Sequence, residues 1–143
     1  MPAVLVDDIP RQRATIAIID AFPNGPLLEP TMIYSVVELI DRFGPVPARS
    51  ASVDSAQRCF RNGGDRVLVT RVGAEPRLRS ASVVIGISLL AQVDQPWDML
   101  CLTSLDDLES ADFEVVASHG AAVCNELQRD FHVSDPRWSR LTA

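Results

Sequence analysis

The stretch SVDSAQRCFRNGGDRVLVTRV, residues 52–72, predicts a helix followed directly by a buried strand. Ser52 is the expected N-cap of that helix. Apolar side chains then recur at helical spacing, at Val53, Ala56 and Phe60. Residues 67–72 are rich in β-branched side chains, which is typical of a strand covered on both faces. We expect Phe60 and Val69 to lie in one apolar cluster between this helix and the sheet.

The turn between helix and strand consists of Asn62, Gly63 and Gly64. Glycine adopts a left-handed backbone without strain and asparagine with little, so these residues are typical of a helix C-terminus. A glycine pair can also cradle a phosphate, but such cradles lie between a strand and the helix that follows it, and here the order is reversed. We therefore predict a structural turn and no cofactor site.

Composition narrows the class of protein. The chain has 143 residues, of which 47% are hydrophobic and 22% charged, and this predicts one soluble globular domain with a real core. A net charge of -6 argues against nonspecific nucleic-acid binding. The sequence also has no run of basic residues of the kind that binds a membrane surface. Every basic position is arginine, which excludes Schiff-base lysines and Walker-type lysines.

The chain carries neither an evident export signal nor a membrane span. Its N-terminus, MPAVLVDDIP, has acids where a signal peptide needs a basic start, and the apolar run at residues 83–93 is too short and too polar to cross a bilayer. Cys59, Cys101 and Cys124 are odd in number and far apart, which fits reduced, buried thiols better than disulfides or a metal site. We expect a cytoplasmic protein.

Residues 1–13 are predicted to be an extended N-terminal arm, and residues 14–143 an α/β core domain. Val4, Leu5 and Val6 lie between Pro2 and the break at residues 7–10, and they are too few for a core strand. An extended segment of this kind can add to the exposed sheet edge of another subunit, which would make the three residues an assembly arm. The alternative, that the arm folds back on its own sheet or is disordered, stays open.

The remaining pattern alternates strands with helices. Residues 15–19 (TIAII) read as a central strand and residues 31–34 as a short extended segment. Ser35 and Glu38 form a capping-box pattern at the start of a helix that ends at Gly44. Its expected buried stripe is Leu39, Ile40 and Phe43.

The second half continues this alternation. Residues 83–91 favour a helix, with a strand as the rival interpretation, and residues 99–102 a buried strand. An acidic loop is predicted next, followed by a long helix with Ser110 as its expected cap. A short strand is predicted from His132. Apolar spacing marks this helix at Val116, Gly120, Val123, Leu127 and Phe131. This alternation predicts parallel βαβ crossovers. We therefore expect a single three-layer domain with a mainly parallel sheet and helices on both faces.

This order of signals resembles the tail sheath proteins of contractile phages and related contractile injection systems. The resemblance is carried by PAVLVDDIP, TIAIIDAF, NGPLLEP, SVVELIDRFG and CFRNGGDRVLVTRV, and extends to LLAQVDQPWDMLCLTSL and AAVCNELQRDFHVSDP. The Phe-Gly and Asn-Gly-Gly elements at their mutual spacing are its most specific part. Family members usually continue past the Asp-Pro into a C-terminal region that links subunits. This chain stops at Ala143 and is similar to a short version lacking that region.

The resemblance implies a structural virion component that self-assembles as a homo-oligomer. Its partners would be neighbouring sheath, tube or baseplate proteins, with no nucleic acid and no membrane, and it would need no cofactor, metal or catalytic residue. The location implied is cytoplasmic during assembly and then in the virion or injection particle. The alternative is a small cytosolic α/β domain that binds a ligand or partner at the C-terminal ends of its strands.

Enzyme sites have weaker signals. His119 sits in a segment that faintly resembles the histidine segment of subtilisin-like proteases, with Asp20 as the one candidate partner, but no serine follows in a nucleophile setting. We expect His119 to be a partly buried helix residue. His132 has no second ligand at metal-binding spacing. The acids Asp106, Asp107 and Glu109 could bind a divalent cation, although a solvated loop before a helix N-terminus is the favoured interpretation.

Overall fold

The computed structural model describes residues 15–44, 51–75, 77–103 and 105–142. The strands in these ranges are β1 (Ile16–Asp20), β2 (Thr31–Ile33), β3 (Val67–Arg71), β4 (Met99–Leu102) and β5 (Asp130–Val133). The helices are α1 (Val36–Phe43), α2 (Ala51–Arg61), α3 (Arg79–Leu90), α4 (Ser110–Leu127) and α5 (Pro136–Thr142). The predicted arm, with Val4, Leu5 and Val6, lies outside the described residues.

The sheet is mixed and mostly parallel, in the order β2-β3-β1-β4-β5. β1 lies at its centre and pairs in parallel with β3 and β4, so that Ile18 stands beside Val69 on one side and Cys101 on the other. β5 continues the parallel part, whereas β2 is an antiparallel edge strand. The continuous apolar run TIAII is thus explained, because a central strand has no face toward water.

Successive residues of β1 point to opposite faces and build two separate cores. Ile16 and Ile18 pack with the apolar residues of α1 and α2, whereas Ala17 and Ile19 pack with those of α3 and α4. Helices therefore cover both faces, and the predicted three-layer α/β domain is confirmed. Phe60 packs against the same cluster as Val69, as predicted.

Helix α1 begins as its sequence predicts. The Ser35 hydroxyl accepts the Glu38 amide at 3.0 Å, and the Glu38 carboxylate accepts the Tyr34 amide at 2.8 Å, one residue before the cap. Leu39 and Phe43 are buried, but Ile40 is 38% exposed, so its predicted place in the buried stripe is wrong.

Three further expectations fail at helix ends. Ser52 lies inside α2 and is buried, so it is not the cap. Ser110 is the first residue of α4, and Glu109 occupies the cap position. Phe131 belongs to β5, because α4 ends when Gln128 adopts a left-handed backbone with φ of 59°.

Two assignments in the second half are settled by the fold. Residues 79–90 form a helix, as favoured over the strand, and the strand at residues 99–102 has the predicted bounds. Helix α5 follows the Asp135-Pro136 step and was not predicted. Across the described ranges, none of the helices combines the length and apolar character needed to cross a membrane.

Candidate functional site

Three of the sequence elements quoted above meet at one junction, formed by Asn24, Gly25, Phe43, Gly44 and Arg71. The Asn24 amide donates to the Phe43 carbonyl at 3.0 Å, and the Arg71 guanidinium donates to the Gly25 carbonyl at 2.7 Å. A Cβ added at Gly25 would lie 2.5 Å from the Phe43 ring, so the loop can approach the helix end only as glycine. The loop, the end of α1 and the end of β3 therefore form one packed unit.

Gly44 contributes to this junction through both its conformation and its size. Its φ is 94°, which side-chain-bearing residues rarely adopt, and an added Cβ would lie 2.6 Å from the Asn24 side-chain nitrogen Nδ2. The buried Phe43 ring also packs on Phe22, with ring centroids 5.3 Å apart. The Phe-Gly pair thus ends α1 and anchors the loop that precedes β2.

A second polar cluster lies at the C-terminal ends of the two central parallel strands. Asp20 ends β1, Thr103 follows β4, and Ser52 reaches both from the first turn of α2. After β1 the chain builds β2 and β3 on one side of it. It then crosses to the other side of β1, where it builds β4 and β5. The cluster therefore sits at a topological switch point, where sheets of this kind usually bind ligands.

The hydrogen bonds within this cluster have a defined direction. A carboxylate can only accept, so the Ser52 hydroxyl donates its one proton to Asp20, at 2.6 Å. The Thr103 hydroxyl, 2.8 Å from the Ser52 oxygen, must then donate to Ser52. Ser52 is fully buried and Thr103 nearly so. Both hydroxyl protons are used inside the protein, where they join α2 to the ends of β1 and β4.

The predicted turn at Asn62, Gly63 and Gly64 is a helix C-cap. The Gly64 amide donates to the Cys59 carbonyl at 2.9 Å and the Gly63 amide to the Phe60 carbonyl at 3.3 Å, which together are a Schellman motif. Gly63 has a φ of 99°, as a left-handed C′ residue should. This backbone arrangement accounts for the turn as a helix end.

His119 lies apart from Asp20, the carboxylate proposed as its partner. His119 is half-buried in α4, and its Nε2 lies 2.8 Å from the Ser88 hydroxyl of α3. Asp20 binds Ser52 of α2, on the opposite side of the sheet. His132 is exposed on β5, with its Nε2 3.2 Å from the Ser134 hydroxyl. These contacts do not assemble a Ser-His-Asp site.

The acidic loop before α4 is held by arginine. Asp107 receives two hydrogen bonds from Arg79, at 2.8 and 2.9 Å, which tie the loop to the start of α3. Among the described residues, no group of three or more His, Cys, Asp or Glu side chains is arranged to hold a metal ion. Because the Asp107 side chain is exposed, solvent screens its attraction to Arg79, and the pair contributes about 0–1 kcal/mol.

Arg137 was missed by the sequence reasoning. Its guanidinium donates to the carbonyls of Leu108 and Leu105 at 2.7 and 2.9 Å, and it lies 4.2 Å from the centre of the Phe113 ring. It also binds the Asp135 carboxylate, and these hydrogen bonds lower the pKa of Asp135. The Asp135-Pro136 step could have indicated the helix that carries Arg137, because Asp is typical of a helix N-cap and Pro of the first helical position.

The three cysteines are free thiols, as expected. Cys101 and Cys124 are buried in the two different cores, and burial raises the pKa of each to about 11. Burial also raises the pKa of Cys59, which is partly exposed. All three are therefore protonated and poorly nucleophilic near neutral pH.

The outer strands of the sheet are β2 and β5. Within the described part of the chain, β2 pairs only with β3 and β5 only with β4. The burial of β5 is low, with Asp130 and His132 exposed.

Comparison of the sequence with protein-family models and with curated proteins gives no match.

Proposed function

We propose that this chain is a structural subunit of a contractile-tail-sheath-like assembly, acting through contacts between subunits and without catalysis. It would be cytoplasmic during assembly and then part of a virion or injection particle. Its partners would be further copies of itself and neighbouring sheath, tube or baseplate proteins.

The junction around Gly25 is the observation that supports this proposal best. Gly25, Phe43 and Arg71 come from NGPLLEP, SVVELIDRFG and CFRNGGDRVLVTRV, the elements on which the resemblance rests. These elements are distant in sequence, yet Gly25 approaches both of the other residues, with a 2.7 Å hydrogen bond from Arg71 and close packing on the Phe43 ring. The elements that carry the resemblance therefore pack against one another in this fold.

Deletion of residues 1–9 tests the proposal. Because Val4, Leu5 and Val6 are proposed to link subunits, the truncated protein should keep the melting temperature of the monomer and lose large species in sedimentation and electron microscopy. Replacing the three residues with serine is the matched control, since it keeps the chain length and removes only the apolar side chains. A truncated protein that unfolds, or assembles as before, contradicts the linking role.

The alternative is a ligand- or partner-binding α/β domain, and the position of the Asp20–Ser52–Thr103 cluster favours it. A small molecule that binds there should raise the melting temperature of the wild-type protein and fail to raise that of Ser52→Ala. Against this alternative, both hydroxyl protons of the cluster are already donated internally. We therefore rank the assembly role first.

A further inference from the structure

We draw no further inference here: the strongest candidate, the exposed apolar patch formed by Tyr34, Val37 and Ile40 along α1, carries nothing because no contact in the described part of the structure shows what covers it.

Discussion

Gly86 and Gly120 are both buried in helix interiors, yet alanine should stabilise the protein only at Gly86. A Cβ at Gly86 would lie 3.5 Å from Ile19 and 3.6 Å from Val72, which are ordinary contact distances. A Cβ at Gly120 would lie 2.7 Å from two ring carbons of Phe131. The same substitution therefore fills available space in α3 and overlaps a neighbour in α4.

The magnitudes follow from helix propensity and packing. Alanine is favoured over glycine in a helix interior by about 0.8–1 kcal/mol, so Gly86→Ala should stabilise the protein by roughly that amount. At Gly120 the same gain is opposed by overpacking, which typically costs about 1–3 kcal/mol. The Phe131 ring would have to move by about 1 Å to reach normal carbon–carbon separation, and it already packs edge-on against Trp138 at 5.4 Å. Gly120→Ala should therefore lie about 1–3 kcal/mol below Gly86→Ala in unfolding free energy.

Urea unfolding of the two variants, analysed at equal m-values, measures this difference. The double variant Gly120→Ala/Phe131→Leu should recover part of the loss, because a smaller, more flexible side chain at position 131 removes the overlap. If Gly120→Ala is as stabilising as Gly86→Ala, or if the double variant shows no favourable coupling, α4 does not approach β5 as described.

Three further predictions concern the turn, the C-terminal helix and the thiols. Gly63→Ala should destabilise the fold by roughly 1 kcal/mol in urea unfolding, because the strain comes from φ alone and no atom within 4 Å would block the new methyl group; an unchanged midpoint would contradict the left-handed cap. The pKa of Asp135 is lowered by Arg137, so its contribution to stability is fully present above the unfolded-state pKa of about 3.9 and is lost as pH falls through the lower folded-state value. Asp135→Asn should therefore flatten the acid limb of a melting-temperature profile below about pH 4, and an identical limb would count against the pair. Cys101 and Cys124 should react with a thiol reagent at pH 8 only after unfolding, since both are buried with pKa values near 11; rapid reaction of either thiol in the native protein would show that its core is open.

Much of the fold could be predicted because strong local signals agreed with the tertiary structure. The run TIAII has no charged position, and its four residues after Thr15 are all apolar, which suits a central strand. The side chains of Ser35 and Glu38 accept hydrogen bonds from backbone amides within four residues, so the start of α1 needs no distant partner. Gly63 marks the end of α2 for the same reason, since its backbone bonds are all local.

The failures occur where a distant residue decides the outcome. Serine is a common N-cap residue, but the Ser52 hydroxyl donates to Asp20, 32 positions away, and Ser52 lies inside the helix. Helix α4 ends at Gln128 without glycine, so the apolar period continued unbroken to Phe131 in the sequence. Arg137 gave no periodic signal because its partners are backbone carbonyls 29 and 32 positions earlier.

The candidate site divides in the same way. The turn at Asn62, Gly63 and Gly64 could be assigned from sequence, whereas the Asp20–Ser52–Thr103 cluster could not. Its three members come from a strand end, a helix and a loop, and only the order of strands in the sheet brings them together.

The junction at Gly25 also governs which parts of the molecule can open independently. A surface loop normally exchanges its amide hydrogens freely, because it can detach without disturbing the elements it connects. Here the Asn24 amide is bonded to the end of α1, and the Gly25 carbonyl is bonded to the side chain that ends β3. Residues 21–30 can therefore leave the surface only by breaking contacts to a helix and a strand of the sheet. The antiparallel edge strand β2, which this loop leads into, is thereby coupled to the central sheet and protected from fraying alone.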